Sequence, residues 1–229
     1  MSEQIDKKSK KRGGFYWIDG KPYVSVTQVL RAIDKPSLRF WYGKMVYYAL
    51  VKDPSLSEQD ALSAPYQEMR RAASRGSTIH SLIEALKNGN KLESVPQKFE
   101  GYKNAFEKWR KDFNPQIIEH EKVIVNKEER YAGTLDMLAK IGGKLYVIDF
   151  KTSKSGETYI EAELQVAAYL KALGEATDTM IVGLSEKGKY TVKNIANIDE
   201  TYKAFLATKQ LWEYLNRDTL EKINYYGRR

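Results

Sequence analysis

Leu145-Tyr146-Val147-Ile148-Asp149-Phe150-Lys151-Thr152 is an apolar run that ends on a carboxylate and an ammonium two positions apart. A strand points alternate side chains to opposite faces, so Asp149 and Lys151 leave the same face together. The stretch before it, residues 131–141, has the same β character, and Gly142-Gly143 between the two suits a tight hairpin. Such a hairpin pairs residue 141 with 144 and, counting outward, Asp136 with Asp149. Two carboxylates side by side in a half-buried place repel each other and are costly unless a cation joins them. Oxygen donors of that kind suit Mg²⁺ or Mn²⁺. A lysine beside the ion steers or deprotonates an attacking water and stabilises the charge that develops on a phosphodiester. The plainer alternative is a strand end at the surface, with Asp136 and Lys151 forming an ordinary cross-strand ion pair.

Working outward, residues 117–125 read as a third strand, which makes an antiparallel meander with the other two. A helix over 157–173, stopped by Gly174, leads to a buried strand at 179–184, an edge strand at 190–195 and a long amphipathic helix at 199–216. Ahead of the meander the chain is mainly helical. A small hairpin turns at Asp19-Gly20, and Ser25 or Thr27 caps the helix after it. Helices follow from Pro36 to about Leu50, over part of 54–61, from Pro65 to Lys87 with Gly89 as the stop, and from Pro96 to Phe113. The pattern is α+β, a mixed sheet flanked by helices with an N-terminal helical elaboration. It predicts a basic disordered arm over 1–14 and a single domain over 15–229: a helical part to 115, a core over 116–216 and a tail over 217–229.

Further candidates lie outside the two central strands. His80 stands in Arg75-Gly76-Ser77-Thr78-Ile79-His80-Ser81-Leu82-Ile83-Glu84, one helical turn before Glu84. It is either a metal ligand or one half of a surface His–Glu pair. Glu119 and Glu121 share a strand face, so either one bonds a metal-bound water or faces solvent; His120 between them has a weaker claim. Gln165 and Tyr169, spaced i and i+4, project from one face of their helix toward a phosphate or sugar, or else belong to the core.

The formal net charge is +8, which points to a polyanionic partner, but five of those charges sit in the first twelve and last thirteen residues. There is no cysteine, which excludes disulfides, zinc thiolates and an iron–sulfur cluster. No apolar run approaches the ~20 residues that cross a bilayer, and the first fourteen residues lack an export or import pattern, so a cytoplasmic protein without membrane contact is expected.

Set in order, Gly76 to Glu84, Glu121, Tyr131-Ala132-Gly133-Thr134-Leu135-Asp136, Ile148-Asp149-Phe150-Lys151-Thr152-Ser153 and Gln165-Val166-Ala167-Ala168-Tyr169 resemble the RecB-like branch of the PD-(D/E)xK nucleases. The likeness extends to the mitochondrial genome maintenance exonuclease and its bacteriophage-encoded relatives, and it covers residues 75–170 best. It implies a restriction-endonuclease-like fold. It also implies that His80, Asp136, Asp149 and the Phe150 carbonyl hold Mg²⁺ or Mn²⁺, that Asp136, Asp149, Lys151 and Glu121 carry the catalysis, and that Gln165, Tyr169, Thr152, Ser153 and Arg75 meet the nucleic acid. The implied activity is exonucleolytic, on DNA and commonly on single strands with free ends, in repair, replication or recombination. The setting would be a bacterial or phage-infected cell, the protein acting as a monomer. Aromatic residues interleaved with basic ones, Phe40, Trp41, Tyr42, Tyr47 and Tyr48 with Arg39, Lys44, Arg70 and Arg71, suit stacking on unpaired bases. Two competitors remain: a nucleic-acid-binding protein of the same fold that does not cut, and a glycosidase using the two aspartates.

Overall fold

The computed structural model describes residues 10–87, 95–174, 176 and 178–227, with the side chains of Lys10, Arg75, Leu86 and Lys87 outside that set. Its centre is the expected meander: β4 (Gln116–Asn126), β5 (Tyr131–Ile141) and β6 (Lys144–Ser153). Gly142 and Gly143 both adopt positive φ, which glycine tolerates without strain, and this closes the turn so that Ile141 pairs with Lys144 and Met137 with Ile148. β7 (Asp178–Ser185) lies parallel to β6, reached through the crossover helix α5 (Ile160–Leu173), and β8 (Tyr190–Lys193) forms one edge.

The N-terminal hairpin, β2 (Phe15–Ile18) and β3 (Lys21–Ser25), belongs to the same sheet. β3 runs parallel to β5, placing Val24 opposite Tyr131 and Ser25 opposite Ala132. Lys10–Arg12 adds β1 to β2, so the arm expected over 1–14 holds a strand over Lys10–Arg12 and a turn at Gly13-Gly14; residues 1–9 lie outside the described set. The order is β1-β2-β3-β5-β6-β7-β8, with β4 on the far edge of β5. Ser25 caps α1 (Val26–Val29) by accepting from the Gln28 amide.

Helices cover both faces. α3 (Glu58–Lys87) and α4 (Glu100–Phe113) bury Ile79, Leu82, Ile83, Phe106 and Trp109 against Met137, Ile148 and Phe150. α3 begins seven residues earlier than the expected helix and passes through Pro65; its proposed stop, Gly89, lies outside the described residues. On the other face α5 and α6 (Ile198–Leu215) bury Val166, Tyr169 and Phe205 against Leu135, Leu138 and Val147. α2 (Pro36–Lys52) packs on α3 and buries none of its residues. A short α7 (Arg217–Lys222) follows α6. Among the described residues no helix is long and apolar enough to cross a membrane.

Candidate active site

β4 pairs with β5 along its whole length, so β3 and β6 must share the other edge of β5. β3 takes residues 131–132 and β6 takes 137–141, and the sheet splits between them at residues 133–136. Asp136 lies at the end of that split. The hairpin register reaches Met137–Ile148, so Asp136 and Asp149 are the next opposed positions, as the turn predicts. In place of a ladder bond the Phe150 amide donates to Asp136 Oδ2 at 2.8 Å.

The β4 register makes Glu121 the position opposite Asp136, because His120 pairs with Met137 and Lys122 with Leu135. Glu121 has φ +46°, a left-handed conformation that costs a non-glycine residue roughly 1–2 kcal/mol. On β5 the alternation of faces breaks at the same point: Leu135 and Leu138 pack in the α5 layer, Met137 and Ala139 in the α3–α4 layer. Strain and irregular backbone meet where three carboxylates line up across three strands.

His80 reaches this row from α3, which is anchored by the burial of Ile79, Leu82 and Ile83. Its Nε2 lies 3.8 Å from Asp136 Oδ1 and its Nδ1 3.3 Å from Glu121 Oε1. His80 therefore faces the strands, not a pairing with Glu84 on its own helix. From the other side α5 supplies Gln165. Its Nε2 donates to Asp149 Oδ1 at 2.9 Å and to Tyr169 Oη at 3.0 Å, while its Oε1 accepts from Lys151 Nζ at 3.2 Å. The reverse amide orientation would set NH₂ against the ammonium and C=O against the carboxylate.

Lys151 Nζ is 2.7 Å from Asp149 Oδ2. Burial on its own would lower the Lys151 pKa, but Asp149 and Asp136 more than offset it and hold the ammonium above its ordinary range. Asp136, 8% exposed, is pushed up to about 7, by burial first and by Asp149 second, with Lys151 and His80 acting in the opposite direction. Tyr169 is held well above the phenol range by burial and then by the two aspartates. Asp149 is 1% exposed, and its Oδ2 has no aligned hydrogen bond; the same is true of His80 Nδ1. A carboxylate this deeply buried, with a single ammonium to balance Asp149 and Asp136 together, fits a hard divalent cation. Among the described residues no three His, Asp or Glu side chains converge closely enough to form a metal-binding group by themselves.

The remaining expected residues fall differently. Tyr169 is 2% exposed, so it does not offer a surface to a base or sugar; its ring packs on Gly133, where an added β-carbon would sit 2.3 Å from Tyr169 Cε1. Ser153 accepts from the Gly156 amide and donates to the Glu157 carbonyl, folding the loop after β6. Thr152 pairs with Leu184 inside the sheet and is partly buried. The Arg75 side chain lies outside the described residues. His120 faces Met137, with its Nδ1 buried and unbonded. One contributor was missed: Tyr16 of the N-terminal hairpin shares a 2.8 Å hydrogen bond with Thr134 in the split. The sequence carries no local signal for that contact, because it needs the β3–β5 pairing.

The family model of the PD-(D/E)XK nuclease superfamily matches residues 92–223, more than half of the chain. The chain belongs to the PD-(D/E)XK nuclease superfamily. The match takes in Asp136, Asp149, Lys151 and Gln165 and begins after His80. No curated protein matches the chain. Among solved structures the fold is similar to that of SSO0001, at 17% identity with 90% of this chain and 78% of that chain covered and a TM-score of 0.44. It is also similar to the alkaline exonuclease LHK-Exo from Laribacter hongkongensis, at 15% identity, 87% and 94% covered and a TM-score of 0.37.

Proposed function

We propose that this nuclease is a divalent-metal-dependent DNA exonuclease that hydrolyses phosphodiester bonds on single strands with free ends. One observation carries the reading: two buried, opposed carboxylates, Asp136 and Asp149, with an ammonium 2.7 Å from the second. Binding nucleic acid alone would not call for buried acids where a phosphate must lie, and this weighs against a member of the fold that binds without cutting. Nor does a glycosidase pair need a lysine locked to one of its acids.

Asp136, Asp149, the Phe150 carbonyl and His80 would hold a Mg²⁺ or Mn²⁺ ion, which would supply charge to the phosphate and acidity to a water. Lys151, oriented by Gln165, holds that water by hydrogen bonding and stabilises the extra negative charge of the transition state. Gln165 keeps Lys151 from swinging away, and Tyr169 keeps Gln165 in place. Glu121 beside His80 Nδ1 favours the tautomer whose Nε2 lone pair faces Asp136.

The single-strand preference is supported by α2, where Phe40, Tyr47 and Tyr48 are exposed beside Lys44, whose ammonium lies over the Phe40 and Tyr48 rings. Exposed rings next to cations suit unpaired bases and their phosphates. The biological setting we propose is monomeric action in the cytoplasm of a bacterial or phage-infected cell, in repair, replication or recombination.

The test is incubation of end-labelled single- and double-stranded DNA, linear and circular, with Mg²⁺, Mn²⁺ or EDTA, alongside Asp149→Ala and Lys151→Ala. Linear single strands should shorten only with metal and only with the unaltered protein. DNA that is bound and never cut under any metal would overturn the proposal.

A further inference from the structure

A second cleft, about 530 Å³, opens beside the N-terminal end of β5. Its walls are the β2–β3 turn, the β4–β5 turn and the C-terminal segment after α7, and they bring together Lys21, Lys127 and Arg130 with one acid, Glu128. Tyr23 and Tyr226 supply aromatic surface, and Tyr226 is 56% exposed. The C-terminal wall is pinned. Tyr225 is fully buried, its hydroxyl donates to the Arg130 carbonyl at 2.5 Å, and the Arg130 guanidinium lies over its ring at 5.1 Å. Arg130 and Asn224 both take left-handed φ, +56° and +51°, so two constrained residues shape the rim.

Glu213 stands behind the lining, beside Tyr226, so three cations face two acids; with an open ring beside them, the excess of cations matches a nucleotide unit: a phosphate for the cations and a base for Tyr226. The cleft also has a fixed relation to the split in the sheet. Arg130 precedes β5 and Asp136 lies six residues further on, about 20 Å at ~3.3 Å per strand residue. Resting on the nuclease reading above, we infer that this cleft is a second, sequence-independent grip for the strand being cut, engaging phosphates several nucleotides away from the scissile bond.

The test is binding of fluorescent oligothymidylates of increasing length in EDTA, with the full chain and with Lys21→Gln/Lys127→Gln. Lys21 is exposed at the first position of β3 and Lys127 is exposed in the β4–β5 turn, so the variant should melt at the wild-type temperature. Wild type should gain affinity once the strand is long enough to span both sites, and the variant should lose that gain. Each phosphate neutralised on a single strand contributes about 0.7 to the slope of log affinity against log salt, so the variant slope should fall by about 1.4. Equal length dependence and equal slopes in the two proteins would overturn the inference. So would tight binding of free thymidine monophosphate that the double substitution removes, since that would make the cleft a mononucleotide site. Because binding is read without cleavage, failure here leaves the nuclease assay standing, and failure of that assay leaves this measurement intact.

Discussion

Gly133 on β5 lies so close to Tyr169 on α5 that a β-carbon at position 133 would stand 2.3 Å from the ring. No real contact is that short, so any side chain here must move the ring. Tyr169 in turn bonds Gln165, which bonds both Asp149 and Lys151.

Gly133→Ala should therefore lower stability by about 1–3 kcal/mol, the usual cost of overpacking, and reduce cleavage further than that loss explains. Tyr169→Ala removes the obstacle, so the stability cost of Gly133→Ala should shrink in that background. Thermal melts of the two single variants and the double variant measure the coupling; additive losses would show that the ring is not what the alanine meets.

Lys151→Met should abolish cleavage and destabilise the metal-free protein by about 1–3 kcal/mol, because it leaves Asp149 buried with no cation, the partly exposed lysine side keeping the loss below that of a fully buried pair. Adding Asp149→Asn removes that charge. The double variant should recover much of the stability and none of the activity, which denaturant titration and a nuclease assay can separate.

Asp136 is pushed up to about 7 in the folded protein, from a carboxylate value of about 3.9 when unfolded. A folded-state pKa above the unfolded one means that the native state holds the proton more tightly. Its contribution to stability is complete below about pH 4 and lost as pH rises through about 7. In EDTA the melting temperature of wild type should fall between about pH 5 and pH 8 more steeply than that of Asp136→Asn. Millimolar Mg²⁺ should restore the wild-type value at the upper end, through preferential binding to the folded state. Parallel pH profiles for the two proteins would contradict this.

Glu121 holds φ +46° opposite Asp136. Glu121→Gly relieves a strain of about 1–2 kcal/mol against an entropic cost of about 0.5–1 kcal/mol, so its melting temperature should match or exceed that of wild type while activity falls. Glu121→Ala, which keeps the strain, should not gain. A glycine variant that melts lower and cuts normally would remove Glu121 from the site.

Much of the site was legible in the chain because a strand has a period of two and a two-glycine turn sets a register. Those two facts put Asp149 and Lys151 on one face and Asp136 opposite Asp149. Of the helices after the meander, 157–173 was marked by its Gly174 stop and 199–216 by its amphipathic pattern, and the structure differs from both by a few residues at most, while α7 stands where a tail was expected. Position 121 shows where such counting ends. Its place opposite Asp136 follows from the β4 register, but its left-handed backbone has no sequence mark, since glutamate rarely adopts that conformation.

Local periodicity and turn chemistry, both short-range, thus determined the central hairpin, its opposed acids and the α+β pattern. Only the tertiary structure decided that β3 joins β5 and forces the split, that His80 turns to Asp136 and Glu121, and that Tyr169 is buried as a prop for Gln165 and not offered to a substrate. Each of these depends on the packing of residues distant in the chain against both faces of one sheet, and such packing is settled by the burial of a shared core, to which no short segment holds the key by itself.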